Sequence, residues 1–236
     1  MDMSAADSSA ASCILFGGAF DPVHNGHLRM ALEVAELFGE VTVGLMPSPG
    51  QATKTHSASF EDRVSLLQLA VSQSGNVSPR LYVDDSERRT DSNQYPVFTV
   101  DTLAARRDRL GPDVPIIFVL GLDAFLQIRS WHRWDSLLLY GHLLVVDRPV
   151  SEGGDSSALV MRLTAELPGF GQAFVRNPRA LLGQPAGLVH LASLSRLAIS
   201  SSNLRRRLAD GRSISYLTPE PVVRRIEEQG MYSMLS

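Results

Sequence analysis

Two short stretches carry residues whose types and spacing suit chemistry on an anion. In "CILFGGAFDPVHNGH", residues 13 to 27, an apolar run leads into a glycine pair, a proline turn and two histidines, His24 and His27, three residues apart. Imidazoles on the first turn of a helix lie on neighbouring positions and can both donate to phosphate oxygens. The free amides and the positive dipole end of that helix add to the attraction. Gly17 and Gly18 let the backbone approach a ligand closely, Asp21 and Pro22 set the turn, and His27 is expected deepest in the helix mouth. The second stretch, "ISSSNLRRRL", residues 199 to 208, sets serines ahead of a helical run. There the amides around Ser201 and the hydroxyl of Ser202 would face a phosphate. Arg205 follows one turn on with a planar fork suited to phosphate oxygens, while Arg206 and Arg207 read as a solvated face.

Competing chemistries are less well served. A zinc site needs a third and a fourth ligand, and His56, His132, His142 and His190 show no ligand spacing. The Gly-x-Gly-x-x-Gly fingerprint of a dinucleotide-binding turn is absent. Cys13, the sole cysteine, lies within an apolar run and reads as a small core residue rather than a nucleophile.

The elements that must position these residues alternate along the chain. "CILF" reads as a strand, and Leu28, Ala31, Leu32, Ala35 and Phe38 recur at helical spacing before a stop at Gly39. "VTVGLM" and "RLYVDD" read as further strands around a helix from about Glu61 to Ser74, begun by the capping pattern Ser59 to Asp62. A helix near Val100 to Leu110 precedes "PIIFVLG", whose unbroken apolar run suits a central parallel strand buried on both faces. "WHRWDSLLLYG" is helical in period, "HLLVVDRP" and "GLVHLA" are strands, and "VSEGGDSS" reads as a mobile loop. Two helices close the chain, the second started by Thr218 and Pro219. The pattern predicts an α/β fold, Rossmann-like and doubly wound, with a mostly parallel sheet and helices on both faces. Residues 1 to 12 read as a loose tail and 13 to 236 as one domain. In such sheets ligands bind at the carboxyl ends of strands, where "GGAFDPVHNGH" falls.

Composition narrows the partners. With 22 basic and 25 acidic residues in 236 and a net charge of -3, no global field draws the chain to nucleic acid or to an acidic membrane surface. No apolar run approaches the roughly 20 residues that span a bilayer, and the polar start lacks a signal-peptide pattern, so a cytoplasmic setting is expected. Any anion must be met locally. Lys54, the one lysine, lies in a loop of small and polar residues, Pro47 to Ser59, where it is either solvated or a mobile cation that closes on phosphate.

The first stretch resembles the signature of the nucleotidyltransferases, whose His-x-Gly-His motif binds and polarises nucleotide phosphates. The second is similar to their Ile-Ser-Ser/Thr-x-x-x-Arg motif. Between them "GLDAFLQIRSWHRWDSLL", residues 121 to 138, resembles the Gly-x-Asp segment and following tryptophan of the nicotinate-nucleotide adenylyltransferase family. "FTVDTL", residues 98 to 103, looks like that family's nicotinate-carboxylate segment, and "LTPEPVVRRIEEQGMY" is similar to its closing helix. This likeness runs from Cys13 to about Tyr232. It implies catalytic roles for His24, His27 and Arg205, and an ATP site that also takes in Gly17, Gly18, Phe20, Gly121, Asp123, Ser201 and Ser202. It implies an acceptor site at Ala19, Lys54, Phe98, Thr99 and Trp131, with Trp131 stacking on the pyridine and Trp134 left to packing. Ala19 stands where the family usually has Thr or Ser, the loop around Lys54 lacks the usual Pro-Pro-His-Lys/Arg, and "RRTDSNQYPVFT" is a few residues long.

The resemblance implies adenylyl transfer from ATP to nicotinate mononucleotide, with Mg2+ carried by the triphosphate and no metal site on the protein itself. The rivals are the same transfer to nicotinamide mononucleotide, phosphopantetheine or glycerol phosphate, a redox protein holding a dinucleotide, and a nucleotide-binding regulator without turnover.

Overall fold

The computed structural model describes residues 12–39, 41–49, 58–72, 81–88, 97–147, 156–168, 170–195 and 197–232. Lys54, residues 1–11 of the expected tail and residues 150–155 of the expected mobile loop lie outside them. Among the described residues six strands form one sheet in the order Leu81–Val83 (β3), Val43–Pro47 (β2), Cys13–Gly18 (β1), Ile116–Gly121 (β4), His142–Asp147 (β5), Val189–Ser193 (β6). The chain resolves into two compact units, Met1–Phe16 with Gln94–Leu194 and Gly17–Asn93 with Ser195–Ser236.

β1 (Cys13–Gly18), whose residues through Phe16 belong to the first unit, pairs there in parallel with β4 (Ile116–Gly121), Cys13 opposite Ile116 and Phe16 opposite Val119. β5 (His142–Asp147) and β6 (Val189–Ser193) continue the parallel ladder, with Ile117 opposite His142 and Leu143 opposite Val189. Ile116 to Leu120 are all buried, as expected of a central strand covered on both faces. Each such side chain contributes roughly 1.5–3 kcal/mol on burial. Cys13 is buried among them, as its setting implied. α3 (Thr99–Leu110) ends at Gly111, whose φ of 85° suits a residue without Cβ. Just inside that end Arg107 donates to the carbonyls of Gly111, Val114, Tyr140 and Pro185, tying a helix terminus to the loops before β4 and β6. α4 (Leu122–Leu126), α5 (Leu137–Tyr140) and α6 (Ser156–Glu166) are the unit's other described α-helices.

One segment here departs from its periodicity. "WHRWDSLLLYG" is not a continuous helix: 3-10 turns occupy Ile128–Ser130 and Trp134–Ser136, and only Leu137–Tyr140 is α-helical. Trp131 is extended (φ -80°, ψ 145°) and Arg133 left-handed (φ 47°), so helical hydrogen bonding is broken between the tryptophans. Each ring has its own anchor. Trp131 meets Phe118 edge-on at 6.2 Å, and Trp134 lies 5.8 Å from Phe170. Separate anchoring wins over the local period.

In the second unit β2 (Val43–Pro47) pairs in parallel with β3 (Leu81–Val83). β3 stops early because Asp84 accepts the amide of Ser86 and turns the chain. α1 (Asn25–Leu37) follows the glycine turn. α2 (Phe60–Ser72) starts as its cap predicts, with the Asp62 amide donating to Ser59 Oγ at 3.0 Å. α7 (Ser201–Ala209) is capped by Ser200, whose side chain accepts from Asn203. α8 (Glu220–Glu228) buries Val222, Val223 and Ile226, and Arg225 reaches Ser65 on α2. Thr218 does not cap it: its hydroxyl donates to the carbonyl of Val23, binding the loop before α8 to the turn before α1.

Candidate active site

The second unit holds the two histidines of the first motif and the serines and Arg205 of the second. His24 is the N-cap of α1, its backbone extended (φ -149°, ψ 167°) and its Nδ1 accepting the amide of His27 at 3.3 Å. An imidazole whose Nδ1 is an acceptor carries its proton on Nε2 in the neutral state. The two imidazoles stack with centroids 3.6 Å apart and planes 18° from parallel, and Phe20 meets His27 edge-on at 4.9 Å. His24 is 1% exposed and His27 8%, so His24, not His27, is the deeper of the pair. Capping explains this, because the cap ring must fold back over its own helix start.

Glycines serve this stack more than they serve an approaching ligand. A Cβ at Gly26 would lie 3.0 Å from His24 Nδ1 and 3.1 Å from Cε1, and a Cβ at Gly18 would lie 3.0 Å from the Phe20 ring. Phe20 is buried with φ 48°, a left-handed conformation that a phenylalanine adopts only when its surroundings enforce it. The Asp21–Pro22 peptide is cis.

Arg205, half-buried one turn into α7, donates to the backbone carbonyl of Asp21 and to Ser202 Oγ at 3.4 Å, and lies 3.5 Å from Asp21 Oδ2. Ser201 donates to the carbonyl of Pro22 at 2.9 Å, so its hydroxyl joins α7 to the turn before α1. Ser202 is exposed, as is Ala19. Arg206 is exposed as its pattern implied, whereas Arg207 holds the carbonyl of Ser213. The structure thus brings together Gly18, Phe20, His24, His27, Ser201, Ser202 and Arg205.

Three residues that sequence reasoning missed complete this group. Asp21, more than a turn-former, is buried, accepting the Ala58 amide at 3.1 Å and the Tyr232 hydroxyl at 2.8 Å on one carboxylate oxygen. Arg63, buried on α2, donates to the carbonyl of Ala19 at 2.7 Å, and burial pulls its pKa down against the field of Asp21. Burial, then the charge and hydrogen bond of Asp21, push the Tyr232 phenol well above its ordinary range. An arginine within an otherwise apolar helical face was the one available signal for Arg63. Gly26, between the histidines of the motif, was the signal for the tight stack.

The first unit holds the other expected residues. Gly121 ends β4 and is the N-cap of α4, with Asp123 exposed in its first turn. Phe98 is the N-cap of α3 and Thr99 its first residue; Phe98 offers no side-chain cap, so the first amides of that helix suit an anion. His132 stacks on Phe98 with centroids 4.1 Å apart, which sets the neighbouring Trp131, half-exposed, near the start of α3. Trp134, half-buried like Trp131, lies with its ring centroid 5.8 Å from that of Phe170. His132 is a further aromatic that spacing alone did not single out.

Among the described residues no group of three or more His, Cys, Asp and Glu side chains could hold a metal ion, and no helix is long and apolar enough to cross a membrane.

Comparison with known proteins agrees with this chemistry. Residues 15–207 match the cytidylyltransferase-like family. The chain is 36% identical over 220 residues to a protein of a Marinomonas species named "probable nicotinate-nucleotide adenylyltransferase", covering 92% of this chain and 93% of that one. It is 39% identical over 219 residues to a protein of the same name from Pseudomonas fluorescens, covering 92% and 95%. In fold it resembles Plasmodium falciparum nicotinic acid mononucleotide adenylyltransferase complexed with NaAD, with a TM-score of 0.68 at 18% identity over 94% of this chain and 97% of that one. A capped imidazole pair and a serine-capped arginine helix on a parallel sheet, together with these matches along nearly the whole chain, place it: the chain belongs to the cytidylyltransferase-like family, and within it to the nicotinate-nucleotide adenylyltransferases.

Proposed function

We propose that the chain transfers the adenylyl group of ATP to nicotinate mononucleotide, forming nicotinate adenine dinucleotide and pyrophosphate. The observation that carries this reading is the stacked imidazole pair at the start of α1 together with Arg205 on α7. A phosphate oxygen of the mononucleotide attacks the α-phosphorus of ATP. The bond from that phosphorus to the oxygen bridging to the β-phosphate breaks, and pyrophosphate leaves with the electron pair. The nucleophile is already an anion, so no general base or covalent intermediate is required. Catalysis reduces to holding two anions in line and offsetting the charge that builds between them.

His24, His27 and Arg205 supply that charge compensation, and Gly17, Gly18, Phe20, Ser201 and Ser202 shape the turns that present them. Gly121 and Asp123 serve the nucleoside. The donors in the second unit are imidazoles, amides and guanidinium, which complement phosphate oxygens. A magnesium ion, which favours oxygen ligands, fits as a companion of the triphosphate, screening its charge.

Acceptor choice follows from the first unit. Trp131 supplies a face for the pyridine ring, and the first amides of α3, at Thr99 beside Phe98, suit a carboxylate. A carboxamide there would oppose its own donors to those amides, a mismatch of about 1–3 kcal/mol. Ala19 and Lys54 fall to the acceptor phosphate side in the same reading. Incubation with ATP and, in turn, nicotinate mononucleotide, nicotinamide mononucleotide, phosphopantetheine and glycerol phosphate, followed by pyrophosphate release, tests it. Release with the first well above the others is expected, and release with none of the pyridine acceptors would defeat the reading.

A further inference from the structure

We propose that Tyr232 is a positioning residue for phosphate binding: through Asp21, its hydroxyl holds Arg205 in place for the triphosphate. The inference rests on the role given to Arg205 above. Chain path makes the connection unusual. After α8 the backbone turns through left-handed Gly230 (φ 59°) and Tyr232 (φ 61°), and the phenol comes to lie 2.8 Å from Asp21 Oδ1, 211 residues away in sequence. The other carboxylate oxygen lies 3.5 Å from Arg205, which also donates to the backbone carbonyl of Asp21. Arg63 fixes the same loop from α2 through the carbonyl of Ala19.

Asp21 and a bound phosphate compete for one guanidinium. Asp21 is 4% exposed, so water screens its charge poorly; the Ala58 amide and the phenol both donate to Oδ1, and each lessens the charge that would otherwise draw Arg205 to Asp21 and away from a phosphate. A phenol donating to the carboxylate takes up part of that charge and fixes its rotamer, so that Oδ2 meets Arg205 at 3.5 Å rather than in a tight pair. The high pKa of the phenol keeps it a donor throughout the working range. Packing alone would ask only for the ring. The hydroxyl is what the carboxylate uses.

The test is a double-mutant cycle on the full chain, read by equilibrium binding of ATP. Tyr232→Phe keeps the ring and removes the donor; it should weaken ATP binding about fivefold, as loss of one charge-assisted hydrogen bond to a coupled group implies. In an Arg205→Lys background the same change should cost less than twofold. Asp21→Asn, which removes the charge the phenol relieves, should likewise make Tyr232→Phe nearly silent. An unchanged affinity in Tyr232→Phe, or an equal loss with and without Arg205, would overturn the proposal. Turnover of the wild type with nicotinate mononucleotide, measured alongside, reports on the adenylyltransferase reading alone, so failure of one does not mask the other.

Discussion

Gly26→Ala sets helix stability against catalytic geometry. Gly26 lies in the first turn of α1, its φ outside the left-handed range, so alanine fits the backbone there. Helix propensity favours alanine by about 0.5–1 kcal/mol. The added Cβ, however, would meet His24 Nδ1 at 3.0 Å and Cε1 at 3.1 Å, where ordinary contact begins at 3.4 Å. Relief requires the ring to move by roughly 0.4 Å, taking with it the cap to the His27 amide and the face stacked on His27. If a misplacement of about 1 Å costs on the order of 100-fold in rate, a 0.4 Å displacement costs about sixfold. The propensity gain and the weakened cap nearly cancel, which keeps the melting temperature within about 3 °C of the wild type. Steady-state kinetics with ATP and nicotinate mononucleotide, beside a thermal melt, measure both. A variant that keeps full kcat would refute the claim that the motif glycine exists to admit the imidazole stack; a variant that loses kcat only by unfolding would refute the separation of the two effects.

Three further outcomes follow from the same geometry. His27→Ala should lower kcat by about 100-fold or more while ATP affinity changes less, as for loss of a donor that acts as charge develops; equal losses in both would place it in ground-state binding only. Trp131→Ala should raise KM about tenfold or more for both pyridine mononucleotides, leave their ratio nearly unchanged and spare the ATP KM, because a flat ring contributes stacking without telling acid from amide. Stability should fall with acid. His142 accepts the Leu188 amide on Nδ1 and meets the Gln184 carbonyl through Nε2, His190 meets the Val175 carbonyl through Nδ1, and burial holds both below the ordinary imidazole value of 6.5. The unfolded chain then binds more protons below about pH 6.5, so denaturant stability should drop by up to about 1.4 kcal/mol per pH unit for each ring, with His190→Gln removing about half of the slope. A flat profile between pH 7.5 and 5.5 would contradict it.

The sequence made the parallel sheet legible because fully buried parallel strands write themselves as unbroken apolar runs, and Ile116 to Leu120 do so. The two motifs at the starts of α1 and α7 were legible for a similar reason: caps, glycines and histidines act through their immediate neighbours. What stayed hidden depends on contacts far apart in the chain. Asp21 meets Tyr232 across 211 residues and Arg63 meets Ala19 across 44, and neither pairing leaves a local period. The break in the helical period around the tryptophans was hidden too, since Phe118 and Phe170 decide where each ring goes.

This chain joins adenylyl to the acid form of the pyridine mononucleotide. Measuring kcat/KM for nicotinate and nicotinamide mononucleotides with saturating ATP, with the dinucleotide product identified and pyrophosphate counted, tests it most directly. One pyrophosphate per nicotinate adenine dinucleotide is expected, with at least about a tenfold preference for the acid, the yield of one hydrogen-bond mismatch at the start of α3. A preference for the amide, or pyrophosphate release without dinucleotide, would contradict it.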